Sequence, residues 1–193
     1  MKFIAIEGID GAGKTTLASS IKEKLPNLKV VVTAEPFDRT FSSLISKHGW
    51  DDPILLTLLF AADRAIHLKW MRSQEADLVI TDRYFFSSIA YQSALGIDQE
   101  WIEKVNSKFP FPDLTILLDI DPSVALSRLS EDSYSFPQKL RSLPEVRRRY
   151  LDMAKRYNFL VIDGSKSKEW VLSQVLPHVI NLVGMPQGGS LRP

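Results

Sequence analysis

Eight residues near the N-terminus, Gly8-Ile9-Asp10-Gly11-Ala12-Gly13-Lys14-Thr15, carry the first legible chemistry of this sequence. They match the pattern G-x-x-x-x-G-K-[ST] in full, and each residue type has a physical job. The glycines let the backbone curl until successive N–H groups converge on phosphate oxygens. A helix starting near Lys14 adds the positive end of its dipole. Lys14 can reach the β- and γ-phosphates of a nucleotide, and the Thr15 hydroxyl can ligate Mg²⁺. With Thr16, these residues read as a site for ATP with Mg²⁺.

A second set of polar residues follows other apolar runs. Asp82 and Arg83 come directly after the run 78–80. Asp82 can hold Mg²⁺ through water, and Arg83 can grip an acceptor phosphate with its planar fork. The plain alternative is a surface ion pair closing a strand. Glu35-Pro36-Phe37-Asp38-Arg39-Thr40 follows the run 30–32, and Arg39 opens a helical pattern, where an anion is also favoured by the helix terminus. It reads otherwise as an ordinary exposed arginine. Phe60 and Arg64 stand one turn apart on one helix face, so a ring could stack on a base while the arginine donates to its carbonyls. A core phenylalanine with a salt-bridged arginine explains them equally. His48, His67 and His178 lack ligand or triad spacing and read as structural.

Something must bring these scattered residues together. Five short, β-branched, almost charge-free runs at 3–6, 30–32, 78–80, 114–118 and 159–162 look like strands covered on both faces. Helical patterns alternate with them near 14–25, 38–48, 53–74, 86–95, 98–107, 122–130, 142–157 and 167–183. That alternation predicts an α/β domain with a parallel sheet between helices, whose ligands sit beyond the carboxyl ends of the strands. The stretch 131–144 is polar, holds two prolines and reads as a mobile surface segment, and 185–193 reads as a flexible tail. The 193 residues fit one domain, expected over 1–184. A net charge of +1, from 24 Lys+Arg against 23 Asp+Glu, argues against a nucleic-acid or anionic-membrane partner. Cysteine is absent, which removes disulfides and thiolate chemistry. With no signal-peptide pattern and no long apolar window, the expectation is a cytoplasmic enzyme.

Taken in order across about residues 3–165, the segments 3–16, 36–40, 58–64, Asp82-Arg83-Tyr84 with Ser87, Ser88, Ala90 and Tyr91, and 118–128 resemble thymidylate kinases. The resemblance implies a three-layer P-loop NTPase fold with a five-stranded parallel sheet and helices on both faces. It also implies a lid at about 130–145, usually a homodimer, and transfer of phosphate from ATP to dTMP. Position by position, Arg39 and Arg83 would hold the dTMP phosphate, Phe60 would stack on thymine, and Arg64 would contact a thymine carbonyl. Asp10 would lie near the deoxyribose, with Ser88 also at the dTMP and Tyr91 crowding the sugar against a 2′-hydroxyl. Arg128 would lie against adenine, bordered by 163–166 including Lys166. The apolar helices at 53–74 and 86–95 are the expected dimer surfaces.

The chain departs from that family in two respects: Ala34 and Phe37-Asp38 stand where an arginine and glycine often flank Glu-Pro, and the usual catalytic arginine is missing. Phosphoryl transfer needs positive charge on the migrating group. Thymidylate kinases supply it from an arginine in the phosphate loop, where this chain has Gly11, or in the lid, where it has Ser133. Lys139, Arg141 and the run Arg147-Arg148-Arg149 are the candidates, and Arg141 or Arg147 is the expected donor. Two rivals stay open. A deoxynucleoside kinase would use a carboxylate base, with Glu35 the candidate; a non-catalytic nucleotide-binding protein would need no such charge.

Overall fold

Strands without charge can be buried on both faces only if every backbone N–H and C=O finds a partner along a sheet. The computed structural model, which describes residues 1–129 and 137–184, meets that demand with five parallel strands. They are β1 (Lys2–Glu7), β2 (Val30–Ala34), β3 (Leu78–Asp82), β4 (Leu114–Asp119) and β5 (Leu160–Asp163), in the spatial order β2-β3-β1-β4-β5. The register aligns their carboxyl ends: Asp82 lies opposite Ile6 of β1 and Ala34 of β2, while Asp119 lies opposite Asp163. Whatever follows each strand therefore emerges along one edge. That edge collects Gly8, Glu35 and Arg83, which are far apart in sequence.

The helices start where their capping residues allow. Among the described residues, α1 (Lys14–Lys24) begins after Gly13, whose φ of 94° suits glycine. Asp38 caps α2 (Arg39–Leu44) and Asp52 caps α3 (Pro53–Ser73), each accepting from backbone N–H groups of the first turn. A π-helical stretch, Ile45–Gly49, separates the two. Then follow α4 (Phe85–Ala94), α5 (Gln99–Asn106) capped by Asp98, α6 (Pro122–Arg128) capped by Asp121, α7 (Pro137–Tyr157), and α8 (Lys168–Leu182) capped by Ser167. α1 packs with α8, and α4 packs with α3, α5 and α7. Right-handed crossovers put these two groups on opposite faces of the sheet. Ile4, Ile6, Leu78 and Ile80 in the central strands have no exposed surface.

Three expectations need correction. The expected surface segment 131–144 is already helical from Pro137, and residues 130–136 and 185–193 lie outside the described residues. Proline is well suited to a first helical turn, and Pro144 removes only one backbone bond. Burial of Leu143, Val146, Tyr150 and Met153 along one face of α7 overrides that loss. The helix expected at 38–48 changes its winding at Ile45. Finally, α4 is buried almost throughout inside the chain, so it is no dimer surface. α3 does expose an apolar stripe at helical spacing: Ile54 is 54% exposed, Leu58 47% and Ile66 44%.

Truncating a side chain in the central strands should be felt by the whole domain. Ile80→Ala is expected to lower unfolding free energy by about 2–5 kcal/mol, read as a reduced urea midpoint with an unchanged slope.

Candidate active site

On the donor side, the loop 8–13 wraps a cavity of about 500 Å³ with Lys14, Thr15, Thr16, Arg128, Gly164 and Lys166 in its walls. Gly8 and Gly11 have φ of 143° and 80°, and a Cβ on either would fall 2.6 or 2.7 Å from the carbonyl oxygen of Leu118 or Ala125. No side chain fits there, so the loop's backbone can approach a ligand closely. Lys14 is buried and donates to the Ile9 carbonyl at 2.9 Å. Burial, reinforced by nearby Arg83, pulls its ammonium down to about 8. Thr15 Oγ1 donates to Asp82 Oδ2 at 2.5 Å, so two hard oxygen ligands point to one place. That donor set fits Mg²⁺, which takes one or two protein oxygens and completes its shell with phosphates and water. Arg128 ties the loop to its neighbour by donating to the carbonyls of Gly11, Gly164 and Ser165.

Arg83 forms the junction. Its φ of 71° is unusual for a residue with a side chain and costs about 1–2 kcal/mol. Its N–H donates to Ile6 and its carbonyl accepts from Thr81 Oγ1, which holds that turn. The guanidinium reaches back to the phosphate loop: Nη1 donates to the Gly8 carbonyl at 3.3 Å and Ser87 at 3.1 Å, and Nη2 to Asp10 Oδ1 at 3.0 Å. Asp10 also accepts from the Tyr91 hydroxyl at 2.6 Å and from Lys139 Nζ at 2.9 Å. Burial alone would raise its carboxyl, yet Arg83, Lys139 and Lys14 hold it well below the carboxylate range. Behind the junction sits Glu7, fully buried, accepting from Tyr84 N–H, Ser87 Oγ and the Tyr150 hydroxyl. Desolvation pushes its carboxyl from 4.5 up to about 7, against the pull of those hydrogen bonds and of Arg83.

Beyond Arg83 opens a second cavity of about 200 Å³, walled by Trp50, Phe60, Tyr84, Tyr91 and Lys139 among others. Its floor is an ion network. Arg64 hydrogen-bonds Glu35 through Nε and Nη2, Asn106 through Nη1 and Ser88 through Nη2. His67 takes the other Glu35 oxygen and bonds Thr33. The Glu35–Pro36 peptide is cis. Tyr84 Oη and Gln92 Oε1 are buried in this cavity wall without a hydrogen-bond partner among the described residues. Orphaned polar atoms of this kind fit a ligand carrying polar ring atoms.

The structure brings together Gly8 to Thr16, Asp82, Arg83, Phe60, Arg64, Ser88 and Tyr91, and it sets Arg128 and Lys166 in the donor cavity. Other expected residues stand apart. Arg39 is exposed and lines neither large cavity, and the start of its helix is already occupied by the Asp38 carboxylate. Arg141 is exposed. Arg147 is clamped by both oxygens of Asp119 at 2.7 and 3.0 Å and by Asp121. Arg64 spends four N–H groups on protein partners and keeps one for a ligand. Sequence reasoning missed Glu7, Gln92 and Trp50, and it named Tyr84 in a motif without giving it a role. A charged residue ending a buried strand was the one available signal, for Glu7.

Comparison with known proteins places the chain among close relatives. The family described as thymidylate kinase matches residues 6–175. A probable thymidylate kinase 1 of Saccharolobus solfataricus is 57% identical over 179 residues, covering 91% of this chain and 95% of that protein. Probable thymidylate kinases of Sulfurisphaera tokodaii and Metallosphaera sedula are 49% and 50% identical, each covering at least 94% of both chains.

The buried carboxyl gives a pH dependence with a definite sign. The unfolded chain releases the Glu7 proton near 4.5 and the folded chain only near 7, so the unfolded state binds fewer protons between them. Stability from this group is whole below about pH 4.5 and is lost as pH rises to about 7. Urea unfolding at pH 5 and pH 7.5 should show wild type losing about 2 kcal/mol more than Glu7→Gln across that interval.

Proposed function

The chain belongs to the thymidylate kinase family, and from that premise we propose that it moves the γ-phosphoryl group of ATP, bound with Mg²⁺, onto the phosphate of dTMP. It is a nucleoside-monophosphate kinase that phosphorylates dTMP, as its family and relatives indicate. The observation that carries the detailed reading is Arg83, one partly buried guanidinium bonded to the phosphate loop and also lining the second cavity. Donor and acceptor phosphates on either side of it would be held in reach of each other.

On the donor side, loop N–H groups and Lys14 bind the triphosphate, while Thr15 and Asp82 would hold Mg²⁺. The bound ion supplies charge neutralisation on the transferred oxygens. Gly164, Lys166 and Arg128 border the nucleoside end of that cavity. On the acceptor side, Arg83 grips the dTMP phosphate and Phe60 stacks on the base. The last free N–H of Arg64 donates to a thymine carbonyl, and Gln92 Oε1 accepts the base N–H. Ser88 lies beside Arg64 at the cavity floor, and Tyr91, held by Asp10, crowds the sugar. The attacking group is already an anionic phosphate oxygen, so no strong base is needed.

Glu35 argues against phosphorylation of a nucleoside hydroxyl. Both of its oxygens are engaged, by Arg64 at 2.6 and 2.9 Å and by His67 at 3.2 Å, which leaves no free carboxylate base. The reading extends to one kinase domain over 1–184 acting in the cytoplasm. Two copies associate through the α3 stripe of Ile54, Leu58, Ala62 and Ile66, which would bury apolar side chains now in water.

Two measurements check these statements. In an ADP-release assay with Mg²⁺, dTMP should be the fastest acceptor of a monophosphate panel and thymidine should not turn over. Phe60→Ala should raise KM for dTMP at least about tenfold with KM for ATP within about threefold; faster turnover with thymidine would overturn the assignment. Light scattering should find a dimer for the native chain and a monomer for Leu58→Glu.

A further inference from the structure

Transfer between two phosphates draws negative charge together, and something positive must meet the migrating group in flight. Lys14 belongs to the donor phosphates and Arg83 to the acceptor. Among the described residues, most remaining cations nearby are committed elsewhere. Arg128 holds three backbone carbonyls, Arg147 is clamped on Asp119, and Arg148 and Arg149 are both paired with Glu145. Arg141 is exposed and lines none of the cavities. Lys139 differs from all of these.

Lys139 sits in the first turn of α7 and points into the junction, its side chain 23% exposed. Its Nζ lies 2.9 Å from Asp10 Oδ1, the same oxygen that takes Arg83 Nη2 at 3.0 Å. Its ammonium is 5.3 Å from the Trp50 ring and 5.8 Å from that of Tyr91, and the side chain lines the acceptor cavity. A single carboxylate of the phosphate loop thus receives two cations from two elements, the turn after β3 and the first turn of α7. An anionic ligand oxygen entering the junction meets the same two cations. The lysine can follow it, because its charge rides on four rotatable bonds, whereas Arg83 is fixed by hydrogen bonds to the loop carbonyl, Ser87 and Asp10.

We propose that Lys139 is the catalytic cation of the transfer step, exchanging Asp10 for an oxygen of the migrating phosphoryl group. This rests on the kinase reading above. In the step, the bond from the γ-phosphorus to the β–γ bridging oxygen breaks and its electron pair leaves with ADP. A bond from an acceptor phosphate oxygen to the γ-phosphorus forms. Lys139 stays protonated throughout and neither gives nor takes a proton. Asp10 keeps Arg83 and Tyr91 in place when the lysine moves away.

The test compares wild type with Lys139→Met and Lys139→Arg in dTMP-dependent ADP release. Dissociation constants for dTMP and for ATP come from calorimetry. Affinity for dTMP with ADP, Mg²⁺ and aluminium fluoride, a planar mimic of the phosphoryl group in flight, is measured alongside. Lys139→Met is expected to lose about a hundredfold to a thousandfold in kcat, with both substrate dissociation constants within about threefold. It should also bind the aluminium fluoride complex at least about thirtyfold more weakly, and Lys139→Arg should recover most of both losses. If the methionine variant does not fold, Lys139→Gln takes its place under the same criteria. A kcat within about threefold of wild type, or a loss confined to substrate affinity, overturns the proposal and leaves the kinase reading standing. A wild-type protein without dTMP-dependent ADP release overturns both.

Discussion

The functional edge depends on one partly buried ion pair, Arg83 with Asp10. Taking a guanidinium and a carboxylate out of water is expensive, and a lone pair would barely repay it. Here the geometry is over-determined. Arg83 also donates to a loop carbonyl and to Ser87, and Asp10 also takes Tyr91 and Lys139. Those bonds let a left-handed backbone persist at a residue with a long side chain. The strain is useful: it turns the side chain off the β3 axis and back across the end of β1, so phosphate loop and acceptor cavity share a wall.

A second network makes that wall rigid. Asp63 on α3 accepts from the N–H groups of Phe37 and Asp38 at 2.8 and 2.7 Å, which fixes the connection after β2. The next residue, Arg64, reaches Glu35 at the start of the same connection, and one turn on His67 stacks on Phe37 with ring centroids 4.6 Å apart. Three side chains within little more than one turn of one helix therefore hold one loop through charge, hydrogen bonds and ring contact. Phe60 lies on the next turn of α3, so its ring is presented to the cavity from a helix that cannot slide.

The two cavities differ in ways that suit their partners. The donor side is larger, and its walls combine loop glycines with the basic side chains of Lys14, Arg128, Lys166 and Lys168, which suits an anionic ligand. The acceptor side is smaller and aromatic, with a few buried polar atoms to orient a flat base. Glu7 adds a further layer. It stands behind Arg83 and bonds Ser87 and Tyr150, so α4 and α7 are referred to the end of β1. The base of α7 that carries Lys139 is thereby placed relative to the phosphate loop.

Much of this was legible in the linear chain. The phosphate loop is encoded locally by glycines where only glycine fits and by a lysine and threonine at fixed offsets. The five strands were legible because burial on both faces leaves uninterrupted apolar runs. Asp82, Arg83 and Phe60 were singled out through neighbours within a few residues of each, and Tyr91 through the family resemblance. The tertiary structure alone decided where each cation is placed. Arg39, Arg141, Arg147 and Lys139 look alike in sequence, since nothing in their spacing says where each charge will end. Only the fold sends Arg147 to Asp119, leaves Arg39 and Arg141 in water, and sets Lys139 against Asp10, 129 residues away. Ion pairing depends on distance in space and on desolvation, and neither quantity is written in the spacing of residues along a chain.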